Sequence, residues 1–114
     1  MAKRQAKAKT EVKEEKKAVK REIKDLFELG EIIILGEANE IIVESKLVFQ
    51  NLIAKNLHFY SLGKWGKVDG KTAWKNDMNV KSGEGKIIGL YETPFGKIEI
   101  STNYKRTFTE IKMA

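Results

Sequence analysis

Residues 2–29 contain no Gly or Pro, and their apolar positions recur at helical spacing. Val12, Val19, Ile23 and Leu26 are separated by seven, four and three positions, which sets them on one stripe of a helix. Phe27 and Leu29 widen that stripe in its last turn, and Gly30 is placed as a C-terminal stop. Ala, Glu, Lys and Arg dominate the segment and favour helix. Lys7 with Glu11, Glu14 with Lys17 and Arg21 with Asp25 fall at helical pair spacing, worth about 0.2–0.5 kcal/mol each. The stripe is thin before Val19 and dense after it. Residues 18–29 are therefore expected to pack on the body, with 1–17 as a basic helical arm and 18–114 as a single domain. The arm stripe at Val12, Val19 and Ile23 is the expected assembly contact, because helices gain stability mainly from a packed apolar face.

The pattern then changes period. Residues 31–35 (Glu-Ile-Ile-Ile-Leu) and 40–44 (Glu-Ile-Ile-Val-Glu) are β-branched runs separated by Gly36 to Asn39, which reads as a hairpin. Ser45 is placed to cap the next segment. Leu47, Val48, Phe49, Leu52, Ile53 and Leu57 fit one amphipathic helix in the middle of the chain. Residues 58–82 are rich in aromatics and Gly, and Asp69-Gly70 reads as a turn between Trp65 and Trp74. A hairpin with its tryptophans packed across the strands is the plain expectation there. Residues 85–92 read as a strand and 93–96 (Thr-Pro-Phe-Gly) as its connection. Residues 97–102 alternate so that Ile98 and Ile100 face one side. A final strand is expected in residues 104–112, with Tyr104, Phe108 and Ile111 available for burial. The fold class is thus α+β: a long charged N-terminal helix, one middle helix, and antiparallel hairpins forming a small sheet.

Charge refines this picture. The 114 residues carry a formal net charge of +6. Residues 1–10 supply Lys3, Arg4, Lys7 and Lys9 and no acid, whereas residues 11–30 balance. The surplus is therefore concentrated in an N-terminal tip, which can lie against phosphates in a salt-dependent way or simply serve solubility. Lys64, Lys67, Lys71 and Lys75 surround Trp65 and Trp74, and aromatics interleaved with Lys bind single strands by stacking. Lys3, Arg4, Lys7, Lys9, Trp65 and Trp74 are the candidate nucleic-acid contacts.

Catalytic sets are missing from the sequence. There is no Cys and one His, His58, so thiol catalysis and multi-His metal sites within the chain have no ligands. Asp69, Asp77, Glu84 and Glu92 are not brought together by any motif. Gly83-Glu-Gly85 lacks the Gly and Lys-Ser/Thr that a phosphate loop needs. No enzyme activity and no cofactor are expected. No apolar run of transmembrane length occurs, and the basic start is not followed by a secretory h-region, so no membrane partner is expected.

Residues 87–103 carry a more specific pattern. Tyr91 and Thr93 end the first strand, Phe95-Gly96 follow, then Ile98 and Ile100 alternate and Asn103 closes the run. This resembles the C-terminal hairpin of a group of tailed-phage and prophage major capsid proteins. Residues 18–29 are also similar to a helix in that group. Members are much longer than this chain, so the resemblance implies a reduced capsid-like subunit, a domain fragment or another phage structural protein, in each case a viral or prophage-derived structural protein that self-assembles as a homo-oligomer, in the cytoplasm or virion. It implies no catalytic residues. The alternative is a small basic nucleic-acid-binding protein.

Overall fold

A computed structural model describes residues 25–114, which fold as three helices beside a four-stranded mixed sheet. The order along the chain is β1 (Glu31–Ile34), α1 (Gly36–Glu44), α2 (Val48–Ser61), α3 (Gly70–Ser82), β2 (Ile87–Thr93), β3 (Gly96–Thr102) and β4 (Phe108–Met113). In the sheet the order is β1-β4-β3-β2. β2, β3 and β4 form an antiparallel meander, and β1 joins β4 in parallel. The α+β class expected from the sequence holds.

One face of the sheet is buried. Ile87, Gly89 and Tyr91 on β2 stand beside Thr102, Ile100 and Ile98 on β3, and the last three stand beside Thr109, Ile111 and Met113 on β4. Alternation at period two puts all of these on the helix side. Ala38 and Ile42 from α1 and Phe49, Ile53 and Tyr60 from α2 complete the core. Each fully buried large side chain contributes about 1.5–3 kcal/mol.

Several expectations are corrected. Residues 40–44 belong to helix α1 and are not a strand. Ala38 and Ile42, four apart, are buried on one helical stripe, and Ile34 pairs with Ile111 on β4 rather than with residues 40–44. The β-branched run suits either state, and packing decides in favour of helix. Residues 70–82 are likewise helix α3 and not half of a hairpin. Asp69 is its N-cap and accepts from Thr72 N at 2.7 Å, and Gly83 ends it. An Asp-Gly pair that reads as a turn is here a helix start.

The long helix expected over 2–29 is described only at its end, where residues 25–29 are not helical. Three anchors hold them instead. Leu26 N donates to Ser61 O at 2.9 Å, Phe27 inserts edge-on against Tyr60 at 5.3 Å, and Leu29 O accepts from Thr109 Oγ1 at 2.6 Å. The same holds for the helical likeness assigned to residues 18–29. Gly30 therefore stops no helix. Its φ of +67° lets the backbone pass against Thr107, where a Cβ would collide. The arm 1–17 and the stripe formed by Val12, Val19 and Ile23 lie outside the described residues.

Other expectations stand. Ser45 Oγ accepts from Phe49 N at 3.0 Å and donates to Ile42 O at 3.2 Å, which ties the end of α1 to the start of α2. Ile98 and Ile100 are both fully buried. In the last segment Ile111 is buried and Phe108 half-buried, but Tyr104 is 54% exposed, because the strand begins only at Phe108 and Tyr104 lies in the turn before it.

Candidate functional site

The hairpin of β2 and β3 is built by the residues that carry the sequence pattern. Tyr91 is buried, and its hydroxyl donates to Lys64 O at 2.6 Å, fastening β2 to the loop after α2. Burial holds its phenol well above the ordinary tyrosine range. Thr93 Oγ1 donates to Gly96 O at 2.7 Å and accepts from Phe95 N at 3.0 Å, which closes the turn around Pro94. Phe95 packs edge-on against Phe49 at 5.2 Å. Asn103 Oδ1 accepts from Thr107 N at 2.8 Å and Phe108 N at 3.0 Å, shaping the β3–β4 turn.

The outer edge of β2 is closed in two places. Asn76 on α3, 2% exposed, donates from Nδ2 to Ile88 O at 2.8 Å and accepts from Ile88 N at 3.2 Å. Its amide thus takes the place of a neighbouring strand. One step along, Leu90 N donates to Trp65 O at 3.0 Å and Leu90 O accepts from Lys67 N at 2.7 Å. Gly66 between them sits at φ +76° against the Leu90 carbonyl, and no side chain fits there. An edge covered this way cannot pair with another strand.

The two tryptophans have different surroundings. Trp65 is buried against Phe27 and Tyr60 at 6.0 and 5.6 Å, and its indole N–H donates to Asp77 at 3.0 Å. It presents no ring to a ligand. Trp74 is 63% exposed on α3, with Lys71 and Lys75 beside it in sequence and Met78 one turn on. Lys3, Arg4, Lys7 and Lys9 lie outside the described residues. Residues 25–114 carry twelve basic and twelve acidic side chains, so the whole surplus of +6 belongs to residues 1–24.

The uncovered sheet face mixes both signs. Glu92 pairs in register with Lys97, and Glu99 with Lys112, whose ammonium is 3.8 Å from the carboxylate. Glu110 and Glu31 share that face. Four carboxylates there oppose phosphate binding.

A groove of about 420 Å³ runs between α2, the loop after it and β2, lined by Asn56, Phe59, Lys64, Lys67, Tyr91 and Glu92. Its size suits a small molecule. Its polar groups are already engaged in part, since the Tyr91 hydroxyl is bonded to Lys64 O and the Lys64 ammonium stands 5.7 Å over the Phe59 ring. His58 is exposed in the last turn of α2. Among the described residues no group of three His, Asp or Glu side chains could hold a metal, and no helix is long and apolar enough to cross a membrane.

Sequence reasoning missed Asn76 and Arg106. Arg106 is buried at φ +62°, stands 5.7 Å over the Phe27 ring, and donates to Gly85 O and to Asn79 O, the latter at 2.9 Å. It binds the end of α3 to the β3–β4 turn. Both residues read in sequence as solvent-facing polar positions, and no local pattern distinguishes them. The chain matches no protein-family model, no curated protein and no solved structure.

Proposed function

We propose that this chain is a non-enzymatic structural subunit, viral or prophage-derived, that assembles with copies of itself in the cytoplasm or virion. The observation that carries the reading is the run from Ile87 to Asn103. Its capsid-like residues shape the β2–β3 hairpin and its next turn and tie them to α2 and the loop after it. A second feature supports it. Val43, Leu47 and Val48 are each more than half exposed at the corner between α1 and α2. Leu47 is held there at φ +74°, a conformation that costs energy for a residue with a side chain. An exposed apolar corner of this kind suits contact with another subunit. The experiment is light scattering of the full chain over a range of concentration and salt. Large homogeneous particles without nucleic acid are expected, and a strict monomer at every concentration ends the reading.

The alternative, binding of nucleic acid, draws on a different observation: the surplus charge is confined to residues 1–24 while the rest is neutral. Lys3, Arg4, Lys7 and Lys9 would then contact phosphates, and exposed Trp74 would stack on a base. Four such contacts give a logarithmic salt slope of about −3 to −4. Particles that form only with DNA and disperse in salt select this reading.

A further inference from the structure

The two edges of the sheet are finished differently. β2 is closed by Asn76 and by residues 65–67, as described above. On β1, Glu31 N donates to Thr107 O at 3.0 Å and Leu35 N donates to Ile111 O at 2.9 Å. Residues 31, 33 and 35 therefore face β4, and Ile32 and Ile34 direct their N–H and C=O groups away from it. Among the described residues nothing bonds to those four groups. Ile32, 40% exposed, and Ile34, half-buried, stand in register with Thr109 and Ile111, on the helix-covered face. β1 has none of the Lys or Pro residues that commonly blunt an edge.

We propose that β1 is the edge on which a second copy of the chain pairs, antiparallel, about a two-fold axis through Ile33. This inference rests on the self-assembly reading. Ile32 then lies opposite the partner's Ile34, and Ile34 opposite the partner's Ile32, with four main-chain hydrogen bonds between them. Two features select a second copy over another occupant. An identical strand turned end for end presents its outward groups at the required spacing, as a two-fold interface demands. Its own Ile32 and Ile34 arrive on the helix-covered face, so the half-exposed isoleucines are buried against their equivalents and two four-stranded sheets become one of eight. Glu31 lands opposite the partner's Leu35, the N-cap of α1, whose first turn already holds the carboxylate of Glu37, so charge does not select the occupant. The two Glu31 residues fall at opposite ends of the ladder, four residues or about 13 Å apart, so they do not repel strongly.

The test combines hydrogen exchange with particle mass on the full chain. The Ile32 and Ile34 amides are expected to gain at least about tenfold protection as concentration rises through assembly. Ile32→Pro deletes one outward N–H without touching the ladder to β4, and is expected to abolish that gain and lower the particle mass with the far-ultraviolet dichroism unchanged. Should the proline disturb folding, Ile32→Lys keeps the N–H, charges the edge, and is expected to lower the mass in the same way. Particles whose Ile32 and Ile34 amides exchange freely at every concentration overturn the edge pairing and leave self-assembly standing. Protection that is independent of concentration means the chain's own residues cover the edge, and overturns it too. A monomer with fast-exchanging amides removes both.

Discussion

The Tyr60 hydroxyl stands 2.7 Å from Thr102 Oγ1, and this contact begins a directed chain of hydroxyls through the core. Thr102 Oγ1 is 2.7 Å from Thr109 Oγ1, and Thr109 Oγ1 donates to Leu29 O at 2.6 Å. A carbonyl only accepts, so the proton of Thr109 is committed to Leu29. Thr102 must then donate to Thr109, and Tyr60 to Thr102, with Ile87 O sharing the Tyr60 proton at 3.0 Å. The chain links α2, β3, β4 and the segment before β1, four parts that no short stretch of sequence contains.

Removing the Tyr60 hydroxyl takes away the donor at the head of that chain. Tyr60→Phe keeps the ring contacts with Phe27 and Trp65. The loss should be about 1–2 kcal/mol, since the Thr102 oxygen is left buried without its donor. For a domain of this size that lowers Tm by roughly 4–16 °C, read by thermal dichroism. An unchanged Tm would show that the Tyr60 hydroxyl makes no stabilising bond to Thr102.

The same burial makes the fold sensitive to alkali. Tyr60 and Tyr91 are both held above the ordinary tyrosine range, chiefly by loss of solvation. The unfolded chain gives up these protons first, so the stabilisation is complete below about pH 10 and is lost as pH rises toward the folded values. Urea midpoints measured from pH 9 upward should fall, and more gently in Tyr60→Phe, which has one fewer buried phenol.

Asn76 needs both ends of its amide. Asn76→Asp keeps an acceptor for Ile88 N but faces Ile88 O with a carboxylate oxygen in place of a donor. The cost should be about 2–4 kcal/mol at neutral pH and should shrink in acid, where the protonated carboxyl donates again. Chemical denaturation of both proteins at pH 7 and pH 4 checks this. Equal losses at the two pH values would exclude the bidentate role.

Trp65 and Trp74 should separate cleanly. Trp65→Ala removes a buried ring and its bond to Asp77 and should cost about 3–5 kcal/mol. Trp74→Ala should change stability by no more than about 0.5 kcal/mol. If single strands bind, their quenching of tryptophan fluorescence should vanish with Trp74→Ala, and quenching that persists would move the contact elsewhere.

The β2–β3 hairpin was legible because its information is local. Alternation over residues 97–102 and the Thr-Pro-Phe-Gly connection act within a few residues, and nothing distant opposes them. Helix α2 was legible for the same reason, although Leu47 lies before it at φ +74° and Leu47 and Val48 of the expected stripe are exposed. The confinement of the net positive charge to residues 1–24 is a property of the sequence alone. What tertiary structure decided is every case with two local solutions. The run from Glu40 to Glu44 became helix because Ile34 is paired with Ile111, a residue 77 positions later, and Ile42 had a core to enter. Asp69-Gly70 opened a helix because α3 is needed to carry Asn76 to the edge of β2. Trp65 went in and Trp74 stayed out although both lie among lysines, since only one faces Phe27 and Tyr60. Hydrophobic periodicity specifies which side of an element is apolar. It does not name the partner that covers that side, and the partner decides between strand and helix and between core and surface.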